Sequence, residues 1–236
     1  MNPQNRPREN TTFDNTPLYR AAGICAILFS VAYIAIIGLY VPVGRPNGTE
    51  QWLTNLGANA AVWSAIIWLS VLTDFLLIPI ALALYLALNP LHRNAMRVAT
   101  AFYGLFVFLD LALTWTNIGS LHTLATHYAE ANEIRRVALV TAAMYPSSIV
   151  ESNLVFVYNS LTLAIAILLT GFVMLNGTMG KSTAYVGLAT GILGIFAVAA
   201  SFFASAVSSI AIIFTSILTL VWFLMVGIRL IRPIQE

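Results

Sequence analysis

Long apolar runs separated by short polar breaks make up most of the chain. A helix crosses the ~30 Å hydrocarbon core of a membrane with about 20 mostly apolar residues. Six runs reach that length, and the breaks between them contain Pro, Gly and Asn, which favour turns. The predicted spans cover residues 18–40, 63–88, 98–118, 149–175, 184–204 and 208–230. The pattern therefore predicts an all-α fold, a polytopic transmembrane six-helix bundle that forms a single domain over residues 18–232.

The first 17 residues form a polar segment that holds Arg6, Arg8 and several Asn and Thr residues. So few apolar side chains cannot support a packed structure, and residues 1–17 are therefore expected to be a disordered cytoplasmic tail. The apolar run that follows is longer than a signal-peptide core, and no small-x-small cleavage site follows it. We expect this run to be retained as the first span.

Two of the predicted outer connections are long enough to hold structure of their own. Residues 43–61 contain Trp52, Leu53 and Leu56, which predicts a short interfacial helix. In residues 119–147, apolar or weakly polar positions recur at helical spacing opposite charged positions. The first set is Ile134, Val137, Thr141 and Met144, and the charged set is Glu130, Glu133, Arg135 and Arg136. An extracytoplasmic amphipathic helix is predicted, lying on the membrane or capping the bundle and ending at Pro146 before span four.

Composition excludes an ordinary soluble protein. Of the 236 residues, 59% are hydrophobic and 8% are charged, whereas soluble domains carry about 25% charged residues. The formal net charge is only +2, and no basic patch interleaved with aromatic side chains occurs, so no nucleic-acid partner is expected. The expected partners are the lipid bilayer and either other membrane proteins or a second copy of the chain.

Basic residues are distributed unevenly between the two sides of the predicted bundle. If the N-terminus lies inside, the inner side holds eight basic residues and the outer side three. The inner set is Arg6, Arg8, Arg20, Arg93, Arg97, Lys181, Arg229 and Arg232, and the outer set is Arg45, Arg135 and Arg136. Because cytoplasmic loops carry an excess of Lys and Arg, both termini are expected in the cytoplasm.

Two carboxylic acids lie deep within predicted spans. Asp74 is 11 residues from the outer end of span two, and Asp110 is 12 residues from the inner end of span three. At about 1.5 Å per residue, the two side chains are within roughly one helical turn of the same level. If they face each other they could share a proton, because two charges cannot both persist there. An intramembrane acid is a candidate functional residue.

Polar side chains at helical spacing accompany both acids. The candidates for transport or proton binding beside Asp74 and Asp110 are Tyr103, Thr114 and Asn117 on span three and Glu151, Tyr158 and Asn159 on span four. Polar groups that face lipid are costly, so these residues are expected to form a polar seam among spans two, three and four that opens outward. The alternative is that they only hold helices together, through interhelical hydrogen bonds worth about 0.6 kcal/mol each.

Two further sets of residues each suggest one specific role, the first as metal ligands and the second in helix packing. His122 and His127 lie near Glu130 and Glu133, where one side of a continuing helix could hold a metal ion. Their spacing matches no zinc motif, so metal is not expected and no cofactor is predicted. No HExxH, GxSxG or CxxC motif occurs, and no catalytic residue is assigned.

On span five, small residues at short intervals favour close helix packing, and they are Gly187, Gly191 and Gly194.

Several local features together resemble a known family. They are an acid early in span two, the run Ala81-Leu-Ala-Leu-Tyr85-Leu, the Asn89-Pro90 turn and an Ala-rich third span. In these features the chain resembles a bacterial family of uncharacterised multi-pass membrane proteins that carries only a domain-of-unknown-function name. The resemblance implies six helices and a bacterial inner membrane, and it implies no activity or site residue.

Three functions remain open from the sequence. The favoured one is an accessory or structural subunit, or a lipid-interacting component, of a membrane complex, because catalytic motifs are lacking and the outer helix is amphipathic. The first alternative is a small proton-coupled transporter or channel that uses the Asp74 and Asp110 pair. The second is an intramembrane enzyme, which is the least favoured of the three functions.

Overall fold

The computed structural model describes residues 16–177 and 179–231. The predicted tail falls outside this range except for Thr16 and Pro17, which belong to the first helix rather than to a disordered segment. Proline suits a first helical turn because its missing N–H would have no partner there. The basic residues Arg6, Arg8 and Arg232 also lie outside the described residues.

The described part of the chain contains helices and no strands, and it is 89% helical. The elements are α1 Thr16–Val43, α2 Thr49–Ala58, α3 Ala60–Leu88, α4 Arg93–Leu109, a π-helical segment Asp110–Trp115, α5 Thr116–Tyr128, α6 Glu133–Glu151, α7 Asn153–Met174, α8 Lys181–Ser201 and α9 Ser205–Ile231. Six helical stretches are long and apolar enough to cross a membrane, and they match the six predicted spans. The predicted all-α transmembrane bundle is confirmed.

The six spans pack in chain order around a closed ring. Helix α1 contacts α3, α3 contacts α4, α4 contacts α7, α7 contacts α8, and α8 contacts α9. Helix α9 then packs back against α1, where a Cβ at Gly23 would lie 2.8 Å from the Gly227 carbonyl oxygen. The start of α1 and the end of α9 therefore lie at the same end of the bundle, here called the terminal end.

The half of the ring next to the terminal end is filled by a tightly packed core. Its fully buried side chains include Leu77, Leu84, Tyr103, Trp222 and Phe223. Lipid is as apolar as these side chains, so what holds the helices together here is close packing rather than exclusion of water. This region, here called the packed half, leaves the terminal end of the ring closed.

The other end of the ring carries a cap made of α2, α5 and α6. A second buried cluster joins the cap to the spans, with Trp52, Leu56, Trp63, Leu121 and Ala143 all at 1% exposure or less. The short helix expected within residues 43–61 is α2. Its predicted apolar residues, Trp52, Leu53 and Leu56, are buried within the protein.

The segment between spans three and four differs from the prediction of one amphipathic helix. Residues 119–147 fall on two helices, because α5 ends at Tyr128 and α6 begins at Glu133. The side chain of Asn132 caps α6 by accepting a 2.9 Å hydrogen bond from the Arg135 backbone N–H. The apolar positions Ile134 and Val137 are exposed rather than packed against the bundle.

The start of span four also differs from the prediction. Pro146 lies inside α6, and the helix continues past it to Glu151. The chain leaves helical geometry at Ser152 instead, where ψ is 125°, and the Ser152 hydroxyl accepts a hydrogen bond from the Leu154 N–H to begin α7. A proline costs its helix one hydrogen bond, which kinks a helix without having to end it.

Candidate functional site

A cavity of about 880 Å³ lies inside the ring, between the packed half and the cap. All six spans contribute to its wall, which is mainly apolar. Its polar or aromatic-polar wall residues are Tyr33, Tyr40, Arg45, Trp52, Ser70, Thr73, Asp74, Asp110, Thr114, Trp115, Asn159, Ser160, Thr190, Thr215, Ser216 and Thr219. Because Asp74 and Asp110 both belong to this wall, the space is here called the aspartate cavity.

Asp110 is held by hydrogen bonds to both of its carboxyl oxygens. Its Oδ2 accepts from Trp115 Nε1 at 2.9 Å, and its Oδ1 accepts from Asn159 Nδ2 at 2.7 Å. In an α-helix, residues five positions apart point about 140° away from each other. The π-helical segment closes i to i+5 instead, which brings the Trp115 ring over Asp110. The local backbone thus positions the acid.

Asn159 connects α7 to the π-helical segment. Its Nδ2 also donates to Thr114 Oγ1 at 2.9 Å, so one amide group holds both Asp110 and Thr114. Its Oδ1 is buried and has no hydrogen-bond partner among the described residues. Of the predicted polar seam, Asp110, Thr114 and Asn159 are therefore brought into direct contact.

Asp74 lies midway along the 29-residue α3 and is 2% exposed. Its Oδ2 and the Ser70 hydroxyl, one turn away, are buried without a hydrogen-bond partner in the described part of the chain. Leaving such a group unpaired costs about 1–3 kcal/mol. Asp74 and Ser70 both belong to the cavity wall, and each keeps one buried polar atom without a partner among the described residues.

Four predicted seam residues lie away from the cavity wall. Tyr103 is buried in the packed half, where its hydroxyl is 3.3 Å from Thr170 Oγ1. The Asn117 side chain donates to the Leu113 carbonyl oxygen at 2.6 Å. Tyr158 is 44% exposed on the outside of the bundle, because neighbouring helical residues point about 100° apart and Asn159 faces inward.

The fourth of these residues, Glu151, ties α2 to the end of α6. Its Oε1 accepts hydrogen bonds from the Gly48 N–H at 2.6 Å and from Trp52 Nε1 at 2.9 Å. Beside it, Arg45 Nη2 donates to the Val150 carbonyl oxygen at 3.2 Å. Glu151 therefore holds the cap together rather than lining the cavity.

Spans one, five and six also contribute polar groups to the cavity, so the expectation of a seam confined to spans two, three and four is wrong. The Tyr33 hydroxyl donates to Ser216 Oγ at 3.4 Å, joining α1 to α9 at the wall. Thr190 and Thr215 also line the cavity. Isolated hydroxyls in an apolar helix carry little signal, because each bonds its own backbone, as Thr215 Oγ1 does with the Ala211 carbonyl oxygen at 2.8 Å.

The exposed residues of the cavity wall are confined to one stretch of the chain. Among its wall residues, those that are exposed are Ile37, Val41, Gly44 and Arg45, all at the end of α1 and in the loop that follows. Gly44 takes a φ of +64°, a conformation that favours glycine and turns the chain from α1 toward α2. These four residues are here called the mouth.

The four metal candidates are not brought together. His122 Nε2 lies 3.2 Å from Ser64 Oγ and 3.1 Å from the Ala60 carbonyl oxygen, which fixes α5 to the start of α3. His127, Glu130 and Glu133 are exposed. Within residues 16–177 and 179–231, no three His, Cys, Asp or Glu side chains are grouped closely enough to hold a metal ion.

The three span-five glycines lie where helices approach closely. A Cβ at Gly191 would lie 2.5 Å from Leu168 Cβ, and a Cβ at Gly187 would lie 2.5 Å from Trp222 Nε1. A Cβ at Gly194, which also lines the cavity, would lie 2.8 Å from Ala164 Cβ. Side chains at these positions would push α8 away from α7 and α9.

Comparison with protein families, with curated proteins and with solved structures gave no match. The resemblance to an uncharacterised bacterial membrane family therefore stays an expectation. What is shown is an integral membrane protein of six apolar helices with an internal cavity.

Proposed function

We propose that this integral membrane protein binds a small organic cation with a mainly apolar body in the aspartate cavity. The observation that supports the proposal is that Asp74 and Asp110, from different spans, line the same internal cavity of about 880 Å³. Sites for small organic molecules commonly measure about 300–1,000 Å³ and combine apolar walls with a few placed polar groups.

The charge of the wall favours a cation over an anion. Two carboxyl groups face the cavity, and the basic residue of its wall, Arg45, stands at the exposed rim. Two carboxylates in a medium of low dielectric repel each other unless a proton or another cation offsets their charge. A ligand that carries a positive charge would supply that offset.

The rest of the wall suits an apolar or aromatic body. Phe29, Phe106, Phe156 and Ile167 are among the apolar residues of the cavity wall. Burial of apolar surface contributes about 25 cal/mol per Å², and aromatic faces attract cations. A hydrophobic cation thus has favourable contacts with both kinds of wall residue.

The test compares two ions of nearly the same shape and opposite charge. Tetraphenylphosphonium and tetraphenylborate are titrated into the purified protein in lipid nanodiscs, with empty nanodiscs as background. Saturable binding of the cation and not of the anion is expected. Asp74→Asn and Asp110→Asn should each weaken cation binding about tenfold or more, which corresponds to about 1.4 kcal/mol.

The matched control for these variants is Glu50→Gln, since Glu50 is an exposed acid on α2 that does not line the cavity. It changes the net charge by the same amount and should bind the cation as the wild type does. Equal binding of both ions, or wild-type affinity in both aspartate variants, would refute the proposal.

A second candidate function is proton-coupled transport of such a cation. The observation that favours it is that the cavity reaches the surface at the mouth while the packed half closes the bundle at the terminal end. Transporters expose a midplane site to one side at a time, and a bundle open toward one end is one such state. Binding is the simpler function, and transport would add a second state that opens the packed half.

An accessory or structural role and an enzymatic role both stay predictions. We place both termini in the cytoplasm of a bacterial inner membrane, with the cap outside. The basic residues Arg93, Lys181 and Arg229 support this orientation, since they gather at the terminal end. Labelling of Thr126→Cys, in a protein whose native thiol is removed by Cys25→Ser, by a membrane-impermeant maleimide in intact cells checks it, and labelling only after permeabilisation would reverse it.

A further inference from the structure

The mouth of the aspartate cavity is partly at the level of the lipid. Ile37 and Val41 are four residues apart on α1, so they share one face of the helix. Both belong to the candidate span Pro17–Val43, and they are 40% and 78% exposed. Ile37 lies six residues before the end of α1, which is about 9 Å along the helix at 1.5 Å per residue. The mouth therefore extends down the side of the bundle, beyond the loop.

Helices α1 and α9 are joined deeper in the bundle than the mouth. Ser30 Oγ donates to the Leu220 carbonyl oxygen at 3.3 Å, and one turn further along α1 the Tyr33 hydroxyl donates to Ser216 Oγ at 3.4 Å. One more turn toward the cap, Ile37 of α1 and Ile212 of α9 both line the cavity. At this level both helices therefore contribute apolar side chains to the cavity wall, whereas the two hydrogen bonds that join them lie deeper.

Charge separates the two edges of the mouth. Arg45, exposed in the loop, occupies the edge nearest water, and Ile37 and Val41 occupy the edge nearest lipid. A cation that approaches from water meets the Arg45 guanidinium, which has the Glu151 carboxylate beside it. A cation that has already partitioned into the membrane meets only the apolar edge.

We propose that the occupant is a single-chain amphiphile with a cationic headgroup, which enters sideways from the cap-end leaflet between Ile37 and Ile212. Its headgroup lies near Asp74 and Asp110, and its chain stays in the mouth. This inference rests on the proposed binding function, and it adds the class of ligand and the route by which the ligand arrives.

The first test uses the wild-type protein, so it does not depend on the folding of any variant. A dodecyltrimethylammonium probe with a diazirine in its chain is illuminated in phosphatidylcholine nanodiscs that hold the protein, and adducts are mapped by mass spectrometry. Adducts are expected on the residues of the mouth and at Ile212, and excess tetraphenylphosphonium should remove them. Adducts confined to other parts of the chain, or untouched by the competitor, would overturn the inference.

The second test narrows the mouth and measures rates. Ile37→Trp should slow both association and dissociation of the labelled amphiphile about fivefold or more, since a bulkier side chain obstructs passage in both directions. Ile34→Trp is the matched control, because Ile34 is 55% exposed on the same helix and does not line the cavity. Equal rates in the two variants would overturn the sideways route. Absence of tetraphenylphosphonium binding in the wild type would instead defeat the proposed function itself.

Discussion

Asp110 shows how the carboxyl group of a single residue in an apolar helix is held in one orientation by its neighbours. The hydrogen bonds from Trp115 and Asn159 fix its carboxyl group from two sides. Asp74, by contrast, has a carboxyl oxygen with no partner among the described residues. One acid is therefore held by hydrogen bonds from its neighbours, while the other keeps a buried oxygen without one.

The hydrogen bond between Trp115 and Asp110 can be removed without removing the aromatic ring. Trp115→Phe should lower the thermal unfolding midpoint of the purified protein by about 1–6 °C, since a hydrogen bond contributes about 0.5–1.5 kcal/mol to stability. It should also weaken tetraphenylphosphonium binding. Trp68→Phe is the control, because Trp68 is 73% exposed and does not line the cavity. Equal midpoints for the two variants would contradict this role of Trp115.

At the residue scale, the sequence identified the two acids and the seam residues Thr114 and Asn159, but not Trp115. Depth in the membrane predicted that Asp74 and Asp110 lie at a similar level, and the structure places both in one cavity. Trp115 was not predicted as a partner, because five residues of separation bring side chains together only in a π-helical segment. No periodicity in the sequence predicts the change from an α-helix to a π-helix at this position.

At the scale of the elements, long apolar runs predict helices well, and the boundaries between helices less well. The six spans were predicted because about 20 apolar residues in a row have few alternatives to a membrane helix. The end of α6 was misplaced at Pro146, because a proline in a helix can be accommodated as a kink, whereas Ser152 supplies a cap for the next helix. The sequence preferences of Pro146 and Ser152 did not show which of these residues ends the helix.

The contact between α7 and α8 gives a prediction at this scale. Gly191→Ala places a methyl group 2.5 Å from Leu168 Cβ and 2.8 Å from the Ala164 carbonyl oxygen. Overpacking of this kind costs about 1–3 kcal/mol, so thermal unfolding should begin several degrees lower than in the wild type. Gly104→Ala on α4 is the control, because a Cβ there has no neighbour within 4 Å and alanine favours a helix. A Gly191→Ala protein as stable as Gly104→Ala would show that α8 has room to shift.

At the scale of the whole molecule, the cavity depends on all six spans at once. The sequence predicted six helices and their order, but the closure of α9 on α1 is a long-range contact that no local pattern encodes. The polar seam was therefore predicted without α1, α8 and α9, although these helices also line the cavity. Their polar groups become wall residues only once the ring is complete.

The transport candidate makes a whole-molecule prediction. In liposomes that are acidic inside, external tetraethylammonium should raise the internal pH faster with the wild-type protein than with Asp74→Asn or Asp110→Asn, by about tenfold. A pH-sensitive dye in the lumen measures the rate, and Glu50→Gln should behave as the wild type does. Identical rates for all four proteins, alongside intact binding of tetraphenylphosphonium, would leave a binding protein that does not transport.

The closed ring has a consequence for how the protein is made. Chains are synthesised and inserted from the N-terminus, so α3 and the π-helical segment reach the membrane before α7, α8 and α9 exist. Until the last helix docks on α1, Asp74 and Asp110 have no complete wall around them and must be tolerated in an unfinished bundle. A nascent chain that lacks α9 is therefore expected to be a substrate for membrane quality control, and the proposed ligand is expected to bind only after α9 has docked on α1.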